Sequence, residues 1–214
     1  MVSLQPPLCD FGWKARDFDL PGVDGKRYNL ARARGSPEKL LMEPLAIRLG
    51  EQTTLAKSLV MVGHPNGLLV MFICNHCPYV KSIRDRIVRD TRELQQYGIN
   101  SIAIMSNDPA EYAEDSFDNM RLVANQYGYP FPYVWDETQQ VAKDYGAVCT
   151  PDFFGFNANL ELQYRGRLDA SRKEAAAAAP RDLFNAMLQI AKTGQGPREQ
   201  IASMGCSIKW RSEA

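Results

Sequence analysis

Two cysteines separated by two residues, Cys74-Asn75-His76-Cys77, carry the most evident chemistry in this 214-residue chain. A thiol attacks only as thiolate, and a cysteine at a helix N-terminus is held in that form by unpaired backbone N–H groups and the helix dipole. The flanking residues predict that setting. Leu68-Leu69-Val70-Met71-Phe72-Ile73 has no polar alternation, which predicts a central strand covered on both faces. Beyond the cysteines, Val80, Ile83, Ile87, Thr91 and Leu94 recur at three and four residues, while Arg84, Asp85, Arg89 and Glu93 take the other side. An amphipathic helix closed by Gly98 is therefore expected. Cys74 should stand at the strand-to-helix junction with a lowered pKa. Cys77 should lie one turn on, close enough to share a disulfide with it. Pro78 suits a first helical turn, where its missing N–H costs nothing.

His76, if protonated, would favour a neighbouring thiolate and raise the oxidising power of the pair; otherwise it is a solvated loop residue. Thr150-Pro151 stands just before a strand. A cis peptide is cheap only before proline, and one here would expose the Thr150 backbone to an incoming chain. The alternative is a trans proline opening an edge strand. Cys149, two residues before Pro151, is expected near the dithiol as an accessory thiol, or else as inert packing; Cys206, on the tail, is a further acceptor or packing. A zinc site needs four ligands, usually as two close pairs, and Cys149 and Cys206 are isolated, so no metal is expected.

These side chains need elements to position them, and the rest of the chain supplies an alternation of strands and helices. Asp17 to Pro21 reads as a short strand running into the Gly22 to Lys26 turn and a short hairpin. Residues 31–67 read as a partly helical insertion, with Leu59–Val62 and Leu68–Ile73 as two runs around His64-Pro65-Asn66-Gly67 that signal a hairpin. Further strands are expected at Ser101–Met105, Tyr133–Trp135, Phe153–Phe156 and Leu160–Tyr164, and helices from Asp108 to Tyr127, Gln139 to Tyr145 and Arg181 to Ala191. The pattern predicts a three-layer α/β/α domain with a central mixed sheet over residues 1–192. Residues 193–214 form a polar tail, expected to be loosely held, with Ile208 and Trp210 as docking points.

Twenty-five basic and 25 acidic side chains cancel, so no global field draws nucleic acid or an anionic membrane. No basic-then-apolar start and no long apolar run is present, and the five cysteines are unevenly spaced, which together predict a cytoplasmic location. Oligomeric state is not readable.

Phe72-Ile73-Cys74-Asn75-His76-Cys77-Pro78 and Cys149-Thr150-Pro151-Asp152-Phe153-Phe154 resemble the thioredoxin superfamily, most closely its peroxiredoxin-like, thiol-specific antioxidant members. The resemblance spans about Asp17 to Ala191. It implies a thioredoxin-like fold, Cys74 as attacking thiol, Cys77 as resolving thiol, Pro151 as a cis-proline facing them, and no organic cofactor. Three departures accompany it. Residues 31–67 are longer than the usual link, no Asp or Glu lies in Leu68–Ile73 where thioredoxins keep a buried carboxylate, and the peroxiredoxin Pro and Thr positions hold Gly67 and Met71 or Val70 and Cys74.

The expected activity is thiol–disulfide exchange on protein or small-molecule disulfides, with an external thiol reductant such as a thioredoxin system. A hydroperoxide reductase using Cys74 as the peroxidatic thiol is the alternative. A non-catalytic or zinc-bound thioredoxin-fold module is the third.

Overall fold

The computed structural model describes residues 3–35, 65–110, 112–172, 174 and 179–211. In chain order they form β1 (Ser3–Leu4), β2 (Asp19–Pro21), β3 (Arg27–Asn29), α1 (Leu30–Arg34), β4 (Gly67–Phe72), α2 (Pro78–Leu94), β5 (Ile99–Met105) and α3 (Phe117–Gln126). There follow β6 (Tyr133–Trp135), α4 (Gln140–Tyr145), β7 (Cys149–Thr150), β8 (Asp152–Asn157), β9 (Leu162–Arg165), α5 (Asp182–Thr193) and β10 (Gly205–Ser207). Most of the expected insertion, the first arm of its hairpin at Leu59–Val62, and residues 175–178 of the alanine run lie outside the described residues.

β4 occupies the middle of a five-stranded sheet of order β6-β5-β4-β8-β9, parallel to β5 and antiparallel to β8, which is the mixed sheet expected. Every residue of β4 is buried, so its unbroken apolar run is accounted for by cover on both faces. Strand alternation sends Leu69, Met71 and Ile73 to one core, shared with Val80, Ile83 and Ile87 of α2 and Leu183, Met187 and Ile190 of α5. Leu68, Val70 and Phe72 face the other core, with Tyr28 of the β2–β3 hairpin, Ala33 of α1 and Tyr145 of α4. The result is three layers of thioredoxin-like type. Among the described residues no helix is long and apolar enough to cross a membrane.

Two expectations are corrected. The helix expected from Asp108 begins only at Phe117, where the Ser116 side chain accepts from the Asn119 amide as N-cap. The preceding residues are used otherwise: Asp108 donates its amide to the Lys209 carbonyl, and Asp115 is turned toward the dithiol. The tail is not loose in its described part. β10 is the middle strand of a second, three-stranded sheet, antiparallel to β1 on one side and β7 on the other, with Ile208 buried and Trp210 exposed.

Candidate active site

Cys74 and Cys77 lie at the end of β4 and the start of α2, at the junction the apolar run and the amphipathic pattern predict. The expected pKa order is reversed. α2 starts at Pro78, so the N-cap is Cys77, not Cys74, and the Val80 amide faces the Cys77 sulfur without forming a full capping hydrogen bond. Hydrogen bonding with Cys206 and then with Cys74 lowers the Cys77 pKa, against burial. Burial, contact with Cys77 and the nearby Asp115 carboxylate raise that of Cys74. Both sulfurs are shut off from solvent at rest, at 1% and 0% exposure.

His76 is not a solvated loop residue. It is buried, its ring stacks on Tyr112 with centroids 4.0 Å apart, and its Nδ1 lies 2.6 Å from Asp115 Oδ2 and 3.7 Å from Cys74 Sγ. Its other ring nitrogen, Nε2, has no hydrogen-bond partner. Asp115 is completely buried and accepts from the Asn75 and His76 backbone amides and from Asn107 Nδ2 as well as facing His76. Although burial opposes it, the His76 and Asn107 hydrogen bonds hold the Asp115 carboxyl below the usual carboxylate range. A protonated His76 would thus have its charge balanced by Asp115 before it reached the thiols. Asp115 was missed because its only local signal, an acidic pair ahead of a helix start, says nothing of a site 39 residues upstream. Arg84, placed on the polar side of α2 by periodicity, is buried as well; it lies over the Tyr127 ring and donates to the Asn75 carbonyl.

The downstream half of the site closes over the dithiol. Thr150-Pro151 is cis, as expected from the resemblance. Thr150 Oγ1 lies 3.1 Å from Cys74 Sγ, and the Thr150 carbonyl 3.1 Å from Cys77 Sγ. Its backbone is not open to an incoming chain, because Cys206 of β10 already pairs with it. A small cleft lies beside Pro151, lined by Tyr79, Arg172, Ser203 and Met204. Cys149 is buried and contacts the Pro151 carbonyl, with its thiol pushed up by burial and by Asp152. The thiol that meets the dithiol is Cys206, whose Sγ is 3.0 Å from that of Cys77. None of the five cysteines is in a disulfide.

Among the described residues, one cluster has metal-ligating types close together: Cys74, His76 and Asp115, with ligand atoms within 4.8 Å of one another. Asp115 spends both carboxylate oxygens on N–H donors and His76 Nδ1, so this donor set is one of mutual hydrogen bonding rather than of ligation. The carboxylate missing from β4 has a neighbour on β8: Asp152, paired with Phe72 in the ladder, fully buried and bound to Arg165 at 2.9 Å.

The chain matches the AhpC/TSA family over residues 48–167. No curated protein matches it. Among solved structures, an uncharacterized conserved protein from Geobacillus kaustophilus is similar at 36% identity and a TM-score of 0.81, covering 100% of this chain and 99% of that one. A hypothetical protein from Sinorhizobium meliloti is similar at 30% identity and a TM-score of 0.80, with 98% and 99% covered. A secreted disulfide oxidoreductase from Mycobacterium tuberculosis is similar in fold, at 10% identity and a TM-score of 0.51, with 80% and 93% covered.

Proposed function

The chain belongs to the AhpC/TSA family, and from that premise we propose that it is a thiol–disulfide oxidoreductase working through Cys74 and Cys77. The observation that carries this reading is the contact of both sulfurs with one residue, Thr150, beside Pro151 and at the N-terminus of α2. Family membership and the thioredoxin-like fold support a redox role in general.

Cys74 is the attacking thiol and Cys77 the resolving thiol. The Cys74 sulfur attacks a substrate disulfide, forming a mixed disulfide, and its proton goes to the substrate thiolate that is released. Cys77 then attacks the Cys74 sulfur, and the second substrate sulfur departs with the proton that Cys77 loses. Atoms and charge balance: two electrons pass from the dithiol to the substrate, and an external thiol reductant restores the pair. Asp115 orients His76 through Nδ1 beside Cys74.

Purified protein assayed side by side with a disulfide substrate and with a hydroperoxide tests this. Disulfide turnover is expected, falling at least about a hundredfold in Cys74→Ser, while Cys77→Ser should accumulate the mixed disulfide. Turnover of hydroperoxide alone would overturn it. That outcome is the second reading, favoured by the Thr150 hydroxyl 3.1 Å from Cys74, a group able to hydrogen-bond a bound peroxide.

A further inference from the structure

We propose that Cys206 is a third redox thiol of this site, one that takes Cys77 over from the Cys74–Cys77 disulfide by internal thiol–disulfide exchange. The inference rests on the reading of Cys74 and Cys77 as the redox pair and extends it to a residue near the chain's end.

The contact is built by the backbone. β10 lies antiparallel to β7 with Cys206 directly opposite Thr150. Directly opposed residues of an antiparallel pair send their side chains to the same face. Thr150 places its hydroxyl on Cys74, so Cys206 faces the same site, and its sulfur reaches Cys77 at 3.0 Å. Gly205 allows this approach, because a Cβ there would run into the Thr150 carbonyl. The strand is held at both ends of the contact. Ser203 Oγ donates to the Pro151 carbonyl, the Ile208 amide to the Val148 carbonyl, and the Lys209 amide to Asn107, which itself donates to Asp115. Cys206 is buried, so it meets Cys77 rather than outside thiols.

The exchange needs no further oxidant. Once a substrate has left Cys74 and Cys77 joined, the Cys206 sulfur attacks Cys77 Sγ. The Cys77–Cys206 bond forms, the Cys74–Cys77 bond breaks, and the leaving Cys74 sulfur takes up the proton that Cys206 loses. One disulfide is exchanged for another, with no net change in electrons. Two consequences follow. Cys74 is returned to its thiol form while the oxidised equivalent is stored, and β10 becomes covalently joined to the start of α2.

The full chain is oxidised with one equivalent of diamide, quenched in acid, denatured, alkylated and mapped as peptides. Denaturation before alkylation makes the result independent of burial. In the wild type, a Cys77–Cys206 linked peptide is expected together with alkylated Cys74. In Cys206→Ser, alkylation of Cys74 in the oxidised protein should be lost, leaving only Cys74–Cys77. Cys74→Ser should still form Cys77–Cys206. Gly205→Ala keeps every thiol but displaces β10, and should lower recovery of the Cys77–Cys206 peptide. Wild-type protein that yields only Cys74–Cys77, with Cys206 alkylated, would overturn the proposal, as would a Cys74→Ser protein that forms no disulfide. If the wild type forms neither disulfide, the parent reading fails and takes the exchange with it. If Cys74–Cys77 forms alone, only the exchange falls.

Discussion

Cys149 and Thr150 are consecutive on β7, yet they belong to two differently built regions. On the Thr150 side stand Cys74, Cys77, Cys206 and the His76–Asp115 pair, a cluster of groups in contact with one another. On the Cys149 side stand Asp152 and Arg165, where one ion pair is enclosed in the core. Both regions bury a carboxylate completely, with opposite effect. Asp115 receives several N–H groups and stays easily ionised, whereas burial pushes Asp152 up to about 6 despite Arg165. Burial alone does not decide a group's charge; the number of donors brought to it does.

The largest expected effect lies on the dithiol side. Asp115→Ala should destabilise the protein by about 3 kcal/mol at neutral pH, since it leaves His76 and the Asn75 amide buried without their acceptor. Chemical denaturation measures it. Because the Asp115 pKa is depressed in the folded state, its contribution is present above the ordinary carboxylate pKa and is lost as pH falls through the folded value. The gap between wild type and variant should therefore close in acid. A variant as stable as wild type at pH 7 would remove the contrast between the two regions.

Asp152 should behave with the opposite sign. Its folded pKa is raised, so the native state binds the proton more tightly, and its contribution is full below about pH 4 and lost as pH rises through about 6. Comparing wild type with Asp152→Asn from pH 4 to 7 should show the wild type losing on the order of 2 kcal/mol relative to the variant. Parallel curves would mean that Arg165 neutralises Asp152 as fully as the amides do Asp115.

The smallest effect is expected at Cys149. Cys149→Ala should cost about 1 kcal/mol through lost packing and leave recovery of the dithiol after oxidation unchanged. Slower recovery would mean that the two sides of β7 communicate.

The contrast also separates what was legible in the chain from what was not. β4 and α2 could be read residue by residue, since an unbroken apolar run and a three-to-four repeat are local consequences of cover on two faces and on one. Cys149 was expected beside the dithiol because it lies near Pro151 in sequence. Strand alternation turns it away and leaves Thr150 in that place. His76 carried no local sign of its partner.

From the sequence alone came the dithiol, its strand-to-helix setting, the mixed three-layer fold and the role of Thr150-Pro151 as the facing loop. The first three depend on spacings within about one element and its neighbour; the facing role of Thr150-Pro151, 76 residues from Cys74, came from the family resemblance. Which cysteine caps α2 depended on where within a three-residue stretch the helix begins, a detail that periodicity does not resolve. The partners Asp115 and Cys206 lie 39 and 129 residues from the side chains they meet. No periodicity reaches across such separations; the path of the backbone, and the room left by Gly205, decided them.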